Sequence, residues 1–231
     1  MKSIEVIAFD ADDTLWHTEQ LFQDVQSRLY QMMATYATVE EVQAHFHDME
    51  VKNVRLFGYG VKGFTLSMVE SAIEISNQKI SAADIHEIVM LGKRILDAPL
   101  DLFAGVEEVL VELKKTHRLF LITKGDVLDQ RNKIEKSGLE PHFEKTIVVQ
   151  EKDVATYQVV CEENNIDPHT LMMVGNSLKS DVLPILQMGG RGVHIPYHVT
   201  AQFEKVEDKV DHPKFTQLSA IPEVLQLLEM N

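Results

Sequence analysis

Three carboxylates and a hydroxyl, Asp10, Asp12, Asp13 and Thr14, crowd into the stretch IEVIAFDADDTLW at residues 4–16. Like charges this close repel, and each makes its neighbour harder to ionise. A bound cation removes that cost, and a highly charged oxygen donor set suits Mg²⁺ better than zinc or copper. Asp10 and Asp12 stand two apart where the chain leaves an apolar run, so one side chain and a neighbouring backbone carbonyl can share a metal. The second carboxyl then stays free for proton transfer. Taken alone, the stretch also reads as an acidic turn capping the next helix.

Similar polar groups follow three later apolar runs. Thr123-Lys124-Gly125-Asp126 comes after Leu119–Ile122, bringing a hydroxyl and a flexible backbone whose N–H groups can face an anion. Gln150-Glu151-Lys152 comes after Thr146–Val149 and supplies a cation. Gly175-Asn176-Ser177, with Asp181 beyond it, comes after Leu171–Val174. Singly, each has a plain explanation: a turn hydroxyl, a surface lysine, an acid in a helix's first turn. Four strand ends carrying complementary groups are harder to dismiss.

The elements that must position them follow from periodicity. Ile4 and Val6–Phe9 read as a strand buried on both faces of a parallel sheet. From residue 15 to about 98 the spacing is helical, with about four helices, one capped by Thr38 with Glu41 and one by Ser81 with Asp84. Beyond Pro99, helices alternate with the strands 119–122, 146–149, 171–174 and 192–195, and a last helix runs around Val224–Leu228. That pattern predicts an α/β fold: a Rossmann-like, doubly wound parallel sheet core with an inserted helical-bundle cap domain. The expected boundaries are 1–15 and 100–231 for the catalytic core and 16–99 for the cap, and ligands should bind outside the carboxyl ends of the strands.

On these residues the chain resembles the haloacid dehalogenase (HAD) superfamily. FDADDT matches its first motif, DxDxT or DxDxV, at Asp10, Asp12 and Thr14. It departs at Asp13, where many relatives have Gly, and Asp13 is expected to be a solvated neighbour without a role. Thr123 resembles the second-motif hydroxyl and Lys152 the third-motif lysine. GNSLKSD resembles the acidic fourth motif GDxxxxD, with Asn176 in place of an Asp. The resemblance implies a phosphohydrolase in which Asp10 attacks phosphorus and forms an aspartyl-phosphate. It implies Mg²⁺ held by Asp10, the backbone carbonyl of Asp12, Asp181 and Asn176, the last directly or through water. Lys152 would offset charge, Thr123 and Lys124 would bind the phosphoryl end, and Asp12 would protonate the leaving alcohol and then deprotonate water. That role for Asp12 requires a raised pKa.

In the cap, FGYGVKGF at residues 57–64 fits GxGxxG at Gly58, Gly60 and Gly63. A dinucleotide site would need a strand before it, and helical surroundings argue against one. The loop either offers Tyr59 or Lys62 to the substrate or only joins two helices.

Composition narrows the function classes. A net charge of −14 argues against binding nucleic acid or an anionic membrane through the bulk surface. The single Cys161 precludes an internal disulfide and fits a reducing compartment. No apolar run approaches membrane-spanning length and no signal-like segment opens the sequence, so a cytoplasmic protein acting on a small phosphorylated metabolite is expected. The alternatives are a phosphomutase of the β-phosphoglucomutase type and a non-catalytic ligand-binding relative. A dehalogenase fits less well, because that branch lacks the acid found here at Asp12.

Overall fold

The computed structural model describes residues 3–199, 204 and 209–229. Val6–Phe9 carries no polar side chain and becomes β1 (Val6–Phe9), buried along its whole length. It is joined by β2 (Arg118–Lys124), β3 (Lys145–Val149), β4 (Leu171–Gly175), β5 (Arg191–His194) and β6 (Phe215–Gln217). All five pairings are parallel, and the order is β3-β2-β1-β4-β5-β6. Phe9 sits beside Leu121 on one flank and Val174 on the other, so these strands end together. The sixth strand was not anticipated from the sequence. It is three residues long, lies at the sheet edge and stays partly exposed, so it shows neither an apolar run nor a clear alternation.

Two compact units divide the chain. One is Met1–Glu19, Leu100–Lys124 and Gln130–Asn231, and the other is Gln20–Pro99 with Gly125–Asp129. The second contains α1 (Glu19–Met33, from its second residue), α2 (Val39–Phe57), α3 (Val61–Ile75) and α4 (Ala82–Asp97). Its core is Val25, Leu29 and Met33 against Val42, Phe46, Phe64, Met68, Ile88 and Leu91. Both capping motifs form: Thr38 with Glu41 reciprocally, and Ser81 with the Asp84 N–H. Gly58, at φ 74°, ends α2, and Gly60, at φ 112°, precedes α3. The glycine-rich stretch is therefore a tight joint between two helices. Helix α2 fills the place where a dinucleotide fold would have a strand.

The sheet unit adds α5 (Val106–Leu113), most of α6 (Val127–Ser137), α7 (Val154–Glu163), α8 (Leu183–Gln187) and α9 (Glu223–Glu229). Alternate strand residues point to opposite faces. Ile7, Phe9, Leu119, Leu121, Met172 and Val174 pack with Val109 and Leu110 of α5, Ile134 of α6 and Val224 of α9. Val6, Ala8, Phe120, Ile122 and Met173 pack with Tyr157 and Val160 of α7 and Ile185 of α8. Covered on both faces, the sheet offers side chains to solvent only at its ends and edges. No helix among the described residues is long and apolar enough to cross a membrane.

Glu50 of the helical unit is half-buried and has no ion-pair partner among the described residues. Burial pushes the Glu50 carboxyl up from 4.5 to about 7. An acid that holds its proton more tightly when folded loses stability for the fold as pH rises from its unfolded to its folded value. Glu50→Gln should therefore match wild type in urea unfolding below pH 4.5. It should become more stable than wild type, by up to about 2 kcal/mol, as pH rises to about 7.

Candidate active site

The strand order reverses at β1, with β2 on one side and β4 on the other. Reversals of this kind open a crevice at the carboxyl ends of the strands. Asp10 follows β1 directly, and its N–H continues the pairing by donating to the Val174 carbonyl at 2.9 Å. The Lys152 ammonium, three residues past β3, donates to Asp10 Oδ1 and, at 2.7 Å, to Asp181 Oδ1. All three side chains are at least nine-tenths buried. Two carboxylates and one ammonium thus meet out of water with a net charge of −1.

Asp181 reaches this point because the chain after β4 makes a wide π-helical turn, Leu178–Val182. Ser177 caps it, its hydroxyl oxygen accepting from the Ser180 N–H at 3.0 Å. The Ser177 N–H donates to Asp181 Oδ2 at 3.0 Å, so each carboxylate oxygen has its own donor. Gly175 makes room: a Cβ there would lie 2.1 Å from Asp181 Oδ2. The Thr14 hydroxyl lies 3.2 Å from Asp10 Oδ2 and 3.4 Å from Asn176 Oδ1, drawing that amide oxygen to the same cluster. Thr123 is buried at the end of β2, two residues beyond Leu121, the neighbour of Phe9.

Electrostatics follows from this crowding. Burial first, then the charge of Asp181, pushes the Asp10 carboxyl from 3.8 up to about 7, against the pull of Lys152. Burial works to discharge Lys152, but the carboxylates of Asp10 and Asp181 outweigh it and hold the ammonium charged. A single cation therefore does not satisfy two buried acids. Among the described residues no three His, Cys, Asp or Glu side chains converge on a metal position. A metal here would draw on two carboxylates, the Asn176 amide and backbone oxygen. That hard, all-oxygen set with a charge deficit fits a divalent cation of the Mg²⁺ kind.

Asp12 corrects an expectation. Its carboxylate accepts from Lys133 Nζ at 2.6 and 2.8 Å, Gln130 Nε2 at 2.7 Å, Trp16 Nε1 at 2.7 Å and Thr18 Oγ1 at 2.9 Å. Burial alone would raise its pKa, but the charge and hydrogen bonds of Lys133, with those of Gln130 and Trp16, bring it below the usual carboxylate value. Asp13 is not a solvated neighbour either. It is 8% exposed, with φ 59°, and its carboxylate accepts from the N–H groups of Thr18 and Glu19 where α1 begins. Asp tolerates that left-handed backbone better than most residues with a Cβ.

Of the expected substrate ligands, Lys124 is engaged inside the protein. It pairs with Glu204 at 2.6 Å and Glu151 at 3.1 Å and donates to Ser180 Oγ at 3.2 Å. Lys62 and Tyr59 belong to the helical unit, where Lys62 pairs with Asp126 at 2.9 Å. Sequence reasoning missed Gln130 and Lys133, which sit three apart on one face of α6. Their one sequence signal is that i, i+3 spacing on the helix after β2.

A family model for haloacid dehalogenase-like hydrolases matches residues 4–189, and the chain belongs to that family. Within it, the protein is an enzyme of the phosphatase type. A solved haloacid dehalogenase-like hydrolase from Xanthomonas campestris superposes with a TM-score of 0.88 at 35% identity, over 99% of this chain and 93% of that one. The glyceraldehyde 3-phosphate phosphatase of Pyrococcus furiosus is 22% identical over 99% of this chain and 95% of its own length. Human N-acylneuraminate-9-phosphatase is 24% identical over 82% of this chain and 81% of its own.

Gly175→Ala tests the cluster. The added methyl must push the Asp181 carboxyl off Lys152, and kcat should fall about 10²-fold, as misplacements near 1 Å do. Far-ultraviolet circular dichroism should be unchanged.

Proposed function

We propose that the protein is a Mg²⁺-dependent phosphohydrolase that cleaves small organic phosphate monoesters through an aspartyl-phosphate on Asp10. The observation that carries this reading is the buried Asp10–Lys152–Asp181 cluster, with Asn176 and Thr14 beside it, at the carboxyl ends of the sheet. Mg²⁺, held by Asp10, Asp181, the Asp12 carbonyl and Asn176, would supply the positive charge that keeps Asp10 ionised and screens it from an anionic ester.

In this reading a carboxylate oxygen of Asp10 forms a bond to phosphorus while the ester O–P bond breaks. Asp12 gives its proton to the departing alkoxide, so the product is a neutral alcohol. Lys152 then balances charge on the phosphoryl oxygens, and Thr123 with the backbone N–H groups after β2 orients them. In the second half Asp12 takes a proton from water, the water oxygen attacks phosphorus, and the Asp10–phosphorus bond breaks. Ester and water become alcohol and inorganic phosphate. Because Lys133 holds Asp12 ionised in the free protein, the proton that Asp12 gives to the leaving group must be taken up in the substrate complex, where the anionic ester raises its affinity for one. The ionised state in which Lys133 holds Asp12 is the one the second half needs.

The acts named for the relatives, on glyceraldehyde 3-phosphate and N-acylneuraminate 9-phosphate, support small phosphorylated metabolites as the substrate class. Tyr59 and Lys62 are assigned to substrate choice, as part of the inserted helical unit. Lys124 would join the phosphoryl end only by exchanging Glu151 or Glu204 for substrate oxygen. A lone, buried Cys161 supports a cytoplasmic location.

Purified protein should release inorganic phosphate from p-nitrophenyl phosphate and from a panel including both named esters. The activity should vanish with EDTA and return with Mg²⁺. Asp10→Asn should lower kcat by about 10⁴-fold or more. Full activity in that variant, or an inert wild type across the panel, would refute the reading.

A further inference from the structure

We infer that Lys133, with Gln130 beside it, is the positioning residue that fixes the Asp12 carboxylate for its proton transfers. The inference rests on the reading of Asp12 as the acid–base group. Asp12 lies in a loop just past β1, where a short side chain has freedom to turn. Four side chains remove that freedom, and they come from two stretches of chain. Trp16 and Thr18 lie in the linker that leads toward the helical unit. Gln130 and Lys133 lie on α6, just after the residues 125–129 that group with that unit.

The division of donors is uneven. Lys133 Nζ spans both oxygens of Asp12, at 2.6 and 2.8 Å, and is the only cation of the four. Gln130 is 3% exposed and spends its Nε2 on Asp12 and on the Lys124 carbonyl. Its Oε1 is buried without a hydrogen-bond partner among the described residues, so the amide is turned by what it donates to. An amide held only for packing would be oriented to satisfy both ends. The pair also ties Asp12 to the end of β2, because the carbonyl shared by Gln130 belongs to the residue after Thr123. A group that must meet the leaving oxygen and then a water benefits from such a fixed orientation.

The chain itself supplies a probe. Trp16 is the single tryptophan, fully buried, with its indole N–H on Asp12 Oδ1. Lys133→Met and Lys133→Arg are to be compared with wild type in the full chain, once thermal unfolding shows each to be folded. Trp16 emission should shift in Lys133→Met and return toward wild type in Lys133→Arg. On alkyl phosphates, Lys133→Met should lower kcat about 10²-fold with KM within a factor of about two. The first-turnover burst of p-nitrophenolate, which departs without needing a proton, should survive. Should Lys133→Met fail to fold, Lys133→Gln carries the same comparison. Unchanged Trp16 emission in the folded variant overturns the assignment, and so does a loss confined to KM. A wild type inert toward every phosphate ester would refute the underlying reading instead, and the emission comparison would still decide whether Lys133 holds Asp12.

Discussion

Two acids sharing one ammonium inside the protein are the constraint around which the sheet unit is arranged. Removing a carboxylate from water is costly, and a buried ion pair recovers that cost only when its geometry is good and its remaining lone pairs are satisfied. Here the pair is a triad with one negative charge in excess. The surroundings show how that is tolerated. Ser177 offers a backbone N–H to Asp181, Thr14 stands next to Asp10, and Gly175 gives up a side chain so that Asp181 can enter. The residual imbalance is what makes the cluster receptive to a further cation. Electrostatic poise and chemical use are thus the same property of the site.

Asp12 shows the complementary strategy. It stands two residues from Asp10, yet its environment pushes its pKa in the opposite direction. Asp10 sits with a second acid and is held back from ionising, whereas Asp12 accepts from a lysine and three neutral donors. Neighbouring carboxyls assigned to different tasks are commonly separated in this way, by partners rather than by distance. The partners come from α6 and from the linker, so the separation depends on tertiary structure that the DADD sequence alone does not contain.

This also explains which parts of the molecule could be read from the sequence. Asp10, Lys152 and Asp181 stood out because each follows an apolar run, and parallel strands that end in register bring such positions together. The helical unit was legible from its caps and its 3.6-residue spacing. The partners of the polar groups were not. Lys124 looks like a substrate ligand until Glu204, eighty positions later, is seen to hold it. Lys133 resembles any lysine on an exposed helix. Asp13 was underestimated because a left-handed backbone leaves no mark on composition, although glycine at that position in related motifs is the trace of it. Strand β6 carries too few residues to show a period at all.

The wide turn at Leu178–Val182 has a consequence for how this segment can vary. The Val182 N–H reaches back five residues, to the Ser177 carbonyl, and the extra residue inside that loop swings Asp181 inward. Successive residues on a regular helix are about 100° apart. Losing one residue between Ser177 and Asp181 would therefore aim the acid at a different wall, whereas changing the side chains of Leu178 or Lys179 would leave its direction intact. This stretch is therefore less tolerant of a change in length than of changes in its letters, and the loss of a single codon here would be costlier than several substitutions.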